Sequence, residues 1–132
     1  MKENILTITK LLTPAVVTST PTIAAIDLKD NEAATVLVQV GASGDTLSGT
    51  VKIGVKLQES SNNSDYTDVA VGDLKSGVNA VTIDDAAEDD VVITFDYIGN
   101  CRYIKPVVTF TGTHENGTPV SAVSILGQPH FR

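Results

Sequence analysis

Residues 90–110, DVVITFDYIGNCRYIKPVVTF, set two apolar-alternating segments on either side of Gly99-Asn100. Val91, Ile93 and Phe95 share one parity and Val92, Thr94 and Asp96 the other, which is the two-residue period of a strand with one packed face. A glycine at the first central position of a two-residue loop suits a primed hairpin turn. On that reading Ile98 opposes Cys101, and the register runs outward through Tyr97–Arg102, Phe95–Ile104, Ile93–Pro106 and Val91–Val108. One face then collects Val91, Ile93, Phe95, Ile104, Pro106, Val108 and Phe110. The other holds Val92, Thr94, Asp96, Tyr103, Lys105 and Val107, with Asp96 diagonal to Lys105. A slip of one residue would scatter the apolar set. Pro106 has no N–H to give a ladder, so its strand is expected at an edge or interrupted at that point.

Outward from this segment the same texture continues. In residues 50–58, Val51, Ile53, Val55 and Leu57 alternate with Lys52, Gly54, Lys56 and Gln58, the cleanest single-faced strand in the chain. Residues 23–28 and 34–40 have strand length and flank a polar connection, Lys29-Asp30-Asn31-Glu32. Shorter strands are expected at 66–71, 79–83 and 119–126, divided by turn-rich stretches at 41–49, 60–65, 72–77 and Asn116-Gly117. The only plausible helical turn is 84–90, DDAAEDD, and no internal repeat is visible. Short strands at this spacing give an all-β fold, a single-domain antiparallel β-sandwich of jelly-roll or Ig-like type with about 7–9 strands. Residues 1–22, broken by Pro14 and Pro21, read as an extended N-terminal arm or an edge strand with a linker, and residues 23–132 as the sandwich domain.

The composition narrows the function classes. The chain has 132 residues, a single-domain length, and Val, Ile, Leu, Ala and Thr dominate, with three Phe, three Tyr and no Trp. A formal charge of −7 with scattered Lys and Arg excludes a basic nucleic-acid footprint, so no direct nucleic-acid partner is expected. Cys101 is the only cysteine, which rules out an intrachain disulfide and leaves it as a small buried side chain. The N-terminal apolar stretch is interrupted by Lys10 and Pro14 and does not fit a signal peptide. No run approaches the ~18 apolar residues of a membrane helix, so no membrane partner is expected.

No constellation points to chemistry. The acidic run Asp84, Asp85, Glu88, Asp89 and Asp90 lacks the spaced Asp/Asn-Gly pattern of a calcium loop and reads as a solvated charged loop. His114 and His130 lack metal-ligand spacing, and nothing around Cys101 resembles a nucleophile motif. No catalytic, cofactor-binding or metal-ligating residue is therefore expected. Arg102 is either a partner in a salt bridge, a stack on Tyr97, or an interface anchor.

Residues 97–112, YIGNCRYIKPVVTFTG, followed by SAVSILGQPHFR at 121–132, resemble the C-terminal half of small tailed-bacteriophage virion structural proteins of the head decoration (cement) type. Ala25-Ile26-Asp27, Val40-Gly41 and Leu57-Gln58-Glu59-Ser60 fall in the matching order. The resemblance implies a non-enzymatic protein on the capsid exterior, made in the host cytoplasm. Its partner would be the major capsid protein, its oligomer a homotrimer, and its work the bridging of neighbouring capsid subunits. A phage tail or connector component is the nearest alternative. A carbohydrate- or surface-binding sandwich module is the alternative from another class, though it would call for exposed aromatics that are scarce here.

Overall fold

The computed structural model describes residues 7–28 and 34–126. The Lys29–Glu32 connection and the tail that carries His130 lie outside the described residues. Nine strands are described: β1 (Thr7–Val17), β2 (Ile26–Asp27), β3 (Ala34–Val40), β4 (Lys52–Ser60), β5 (Thr67–Asp68), β6 (Ala80–Ile83), β7 (Val91–Tyr97), β8 (Tyr103–Thr111) and β9 (Thr118–Leu126). A single 3₁₀ turn at Val71–Asp73 occupies part of the expected 66–77 strand and turn region. Two antiparallel sheets result. Sheet A runs β1-β9-β3-β7; sheet B runs β2-β8-β4, with β5 and β6 sharing the far side of β4.

The pairings are nested. β1 pairs β9, β2 pairs β8, β3 pairs β7 and β4 pairs β6, so the chain is one long double-stranded hairpin with its tip between β4 and β6. Successive nested pairs fall on alternate sheets, which is the wrapping of a jelly roll. Of the two sandwich types the alternation allowed, this topology is the first.

The core lies between the sheets and is built from one parity of each long strand. Ala34, Val36, Val38 and Val40 of β3, Phe95 and Tyr97 of β7 and Val120 and Ala122 of β9 face Ile53, Val55 and Leu57 of β4 and Ile104 and Val108 of β8. Phe95 is the largest fully buried side chain, in a core made mostly of β-branched and Leu residues.

The Gly99-Asn100 hairpin does not form. β7 pairs with β3 in sheet A over Ala34–Tyr97 to Val40–Val91, and β8 pairs with β4 in sheet B over nine residue pairs. Neither Gly99 nor Asn100 has the positive φ that a primed turn demands. Residues 98–102 instead cross from one sheet to the other. The physical reason is cover: a β7–β8 hairpin would line up both apolar faces on one side of one sheet, whereas the crossing sets Ile93 and Phe95 opposite Ile104 and Val108. The inward set expected from the alternation therefore stands, with Ile93, Phe95, Ile104, Pro106 and Val108 buried and Val91 and Phe110 half-buried, although every cross-strand pair assigned to it was wrong. Asp96 is accordingly not diagonal to Lys105. It accepts from Thr35 Oγ1 across sheet A at 2.6 Å.

Tyr97 holds the crossing together. Its hydroxyl donates to Glu59 Oε1 on β4 at 2.7 Å and accepts from the Cys101 N–H at 3.0 Å, linking the two sheets and the connection between them. Gly99 is needed there because a Cβ would lie 2.5 Å from the Tyr97 hydroxyl oxygen. Pro106 sits on an interior strand but at an interrupted place. The Leu28 N–H reaches the Arg102 carbonyl and the Phe110 N–H reaches Thr20 Oγ1, so even-numbered positions of β8 turn their main chain away from β4. β2 ends beside Tyr103 and Ile104, and the N–H that Pro106 lacks would have faced no strand.

Candidate interaction surface

The register places every outward side chain of the two sheets, and the two faces differ in kind. Residues directly opposite in antiparallel strands share a face. On the outside of sheet B stand Lys52, Lys56 and Gln58 of β4 and Tyr103, Lys105, Val107 and Thr109 of β8. Most of their charge is matched locally. Lys56 Nζ lies 3.0 Å from Asp68 Oδ1, and Gln58 donates to the same oxygen at 3.0 Å. The Gln58 amide and then the Lys56 ammonium hold the Asp68 carboxyl below the usual carboxylate range. Lys105 sits 4.2 Å above the centre of the Tyr66 ring. Arg102 makes a bidentate pair with Asp27, both contacts at 2.8 Å, and lies 5.1 Å from the Tyr103 ring centre. Of the roles open to Arg102 within the chain, the salt bridge is formed, and its stack is on Tyr103 rather than Tyr97.

The outside of sheet A is nearly uncharged. One row across it reads Ile8, Ile125, Thr35, Asp96; the next reads Lys10, Val123, Leu37, Thr94; a third holds Ser121, Gln39 and Val92; and Val16 lies beside Pro119. Lys10 and Asp96 are the ionisable groups among these described residues. Ile8 is 67% exposed, Val16 61% and Val92 58%. Apolar side chains grouped as Ile8 with Ile125 and Val123 with Leu37 mark a contact surface more often than scattered single ones do. Beside it, β1 is an eleven-residue edge strand paired only with β9. The opposite edge is protected: the Lys75 N–H reaches the Asp96 carbonyl and the Ile98 N–H reaches the Asp73 carbonyl. β1 is blunted by two register irregularities, after Lys10 and after Leu12, the second of which takes in Pro14.

The residues weighed for chemistry are far apart. Cys101 is half-buried near Tyr97 and Glu59 at one end of β8, and burial pushes its thiol up, away from thiolate reactivity. His114 lies past the other end, roughly 30 Å of strand away by the rise per residue. Its Nε2 meets the Thr111 carbonyl at 3.0 Å, and its buried Nδ1 lies 3.8 Å from Asp45 Oδ2. Asp45 itself accepts the N–H groups of Glu115, Asn116 and Gly117 at 3.0, 2.9 and 2.8 Å. These donations, that of Asn116 foremost, hold its carboxyl below the usual range. The pair thus fixes the turn before β9.

In the acidic loop the carboxylates order backbone, both their own and that of the neighbouring 41–49 loop. Glu88 accepts from the Asp84 N–H, Asp85 from the Ala87 N–H, and Asp89 from the Ser43 N–H at 2.8 Å. Among the described residues no group of three or more His, Cys, Asp or Glu is placed to hold a metal ion. The apolar face was missed by sequence reasoning. Its signal lay in the outward parity of four separated strands, and that becomes readable only once the sheet order is known.

No protein-family model matches the chain, and no curated protein sequence matches it. Among solved structures, the crystal structure of the SPBc2 prophage-derived protein YomS is similar, with a TM-score of 0.56 at 16% identity over 97% of both chains. A Bacillus endospore appendage pilus protein gives a TM-score of 0.47 at 14% identity, over 98% of this chain and 93% of that one. A chain of desmodium yellow mottle tymovirus gives 0.45 at 7% identity, over 98% and 90%. The likeness to YomS is one of fold, and it extends from end to end of both chains.

Proposed function

We propose that this chain is a non-enzymatic structural protein of a tailed-phage virion, bound to the exterior of the head, where it bridges and stabilises major capsid subunits. The observation that carries this reading is the contrast between the two outer faces. A protein that decorates a shell needs one side suited to solvent and another suited to protein. Sheet B supplies the first with its charges largely matched in place, and sheet A the second with its apolar rows and open β1 edge. The resemblance of residues 97–112 to decoration proteins, and the fold held in common with a prophage-derived protein, support the phage setting. The charge of −7 fits a protein partner rather than packaged DNA. On a shell with many equivalent sites, modest contacts add up through avidity.

The test is co-sedimentation of the purified protein with empty heads, followed by electron microscopy of particles assembled with and without it. Saturable binding and extra density on the outer surface are expected. Failure to bind heads, or density confined to the tail, overturns the decoration role.

A further inference from the structure

The outer face of sheet A is complementary to itself. Its two ionisable groups, Lys10 on β1 and Asp96 on β7, stand at opposite edges of the sheet in adjacent rows. Three strand spacings separate them, on the order of 14 Å, so they cannot pair within one copy. Shape repeats the arrangement. Val92, 58% exposed, projects from the β7 edge in the row of Gln39 and Ser121. Beside that row, from β1 across β9 to the end of β3, lies a hollow of about 210 Å³ lined by Pro14, Ala15, Gln39, Gly41, Pro119, Val120 and Ser121.

A half-turn about an axis that lies in the contact plane, parallel to the strands and between β9 and β3, exchanges the β1 and β7 edges and leaves each row at its own height. Lys10 then comes over Thr94 of the second copy, one row (about 7 Å) from Asp96 and within reach of it through its long side chain, while Ile8 comes over Asp96 itself and Val92 over the β1 rim of the hollow beside Pro14. Each contact occurs twice, as an isologous interface requires. We propose that the outer face of sheet A is the interface of a two-fold dimer of this chain, with Lys10 of each copy meeting Asp96 of the other and Val92 of each seated in the other's hollow. A second copy is favoured over a foreign protein because both the charge and the shape complements are already present on the one face. Four strands by seven paired residues give a face of about 19 by 24 Å. That is on the order of 500 Å² per copy, at the small end for specific interfaces, so a micromolar dimer is expected. The dimer takes up the apolar rows that would otherwise face the shell, so the shell contact then falls to the lateral N–H and carbonyl groups of the β1 edge, which face-to-face stacking leaves open.

This inference does not rest on the virion reading, because dimerisation is measured on the isolated chain and shell binding by co-sedimentation with heads; it departs from the homotrimer that the resemblance to decoration proteins implies, and the measured oligomer decides between the two. The experiment is sedimentation velocity on wild type, Lys10→Glu, Asp96→Lys and Val92→Lys, with thermal unfolding to establish that each is folded. Each variant is expected to weaken the dimer at least about tenfold, since each puts like charges or a buried ammonium at two symmetric places. An equimolar mixture of Lys10→Glu and Asp96→Lys is expected to restore it. In the mixed dimer the introduced carboxylate faces the introduced ammonium at one of the two symmetric places, and the native Lys10–Asp96 pair stands at the other. Should Asp96→Lys fail to fold after losing its contact with Thr35, Lys10→Glu and Val92→Lys decide the matter together. A wild-type monomer at about millimolar concentration, a trimer, or a dimer indifferent to Lys10→Glu or Val92→Lys overturns the proposal, as does a mixture of folded variants that stays monomeric.

Discussion

Replacing Tyr97 by Phe removes one oxygen from the point where the chain passes between sheets. The ring stays, so the apolar area buried beneath Gly99 is unchanged and only polar contacts are lost. Two hydrogen bonds disappear, one donated to Glu59 at 2.7 Å and one accepted from the Cys101 N–H at 3.0 Å. A bond to a charged acceptor contributes about 1.5–3 kcal/mol and a neutral one about 1. Glu59 and Cys101 are both half-buried, and water can take up part of the loss. The expected net cost is about 1.5 kcal/mol, or roughly 6 °C in Tm for a domain of this size. Urea unfolding should show this as a lower midpoint with an unchanged slope. The cycle with Glu59→Gln should return a coupling of about 0.5–1 kcal/mol. The same phenol carries a pH signature. Burial, and then the bond to Glu59, raise its pKa well above the ordinary value of 10.0. Folded chains therefore keep the proton while unfolded chains lose it. The contribution is complete below about pH 10 and declines as pH rises further, and the Phe variant should lack that part of the decline. A Tyr97→Phe protein within about 0.3 kcal/mol of wild type would refute the view that this hydroxyl ties the crossing together.

Other outcomes follow from the same contacts. Asp45 accepts three N–H groups and its carboxyl is held low, so its contribution is present above about pH 4 and lost as pH falls through the folded value. Asp45→Asn should lower Tm at neutral pH, with the gap to wild type closing in acid; a gap independent of pH would count against the mechanism. Gly112→Ala should cost more than about 2 kcal/mol in urea unfolding, because φ is +82° and the new Cβ would lie 2.2 Å from the Thr50 carbonyl oxygen. Arg102→Ala should cost at most about 1 kcal/mol by the same measurement, since its pairing with Asp27 is exposed on both sides.

What the sequence disclosed was parity, and what it concealed was pairing. Alternation in residues 91–97 and 103–110 reports which side chains point toward a core, and Ile93, Phe95, Ile104 and Val108 do so. It says nothing about whether the neighbour across the ladder is the next strand in the chain. Gly99-Asn100 looked like hairpin chemistry, but its glycine answers to the Tyr97 ring below it. A close-packing glycine and a turn glycine are the same letter. Where the apolar set of a strand must be covered, the sheet crossing wins over the local turn, and the nested pairings β2–β8 and β3–β7 are the result. The boundaries of β3 were fully legible because polar residues and Gly41 stop it on both sides.

The apolar grouping on the outer face of sheet A was illegible for a related reason. Thr35, Leu37 and Gln39 look like the wet side of an ordinary strand, and so do Val92, Thr94 and Asp96. Neither segment holds enough apolar surface to stand out, and Ser121, Val123 and Ile125 add little by themselves. A patch exists only because the order β1-β9-β3-β7 sets Ile8 beside Ile125 and Val123 beside Leu37. Sheet B received its lysines from strands of comparable length and the same alternation, so strand formation cannot be what spared sheet A. Stability would tolerate charge on either outer face at little cost. The side chains that folding leaves free are thus the ones whose character has to be explained by what meets them, and for sheet A the proposed occupant is another protein surface.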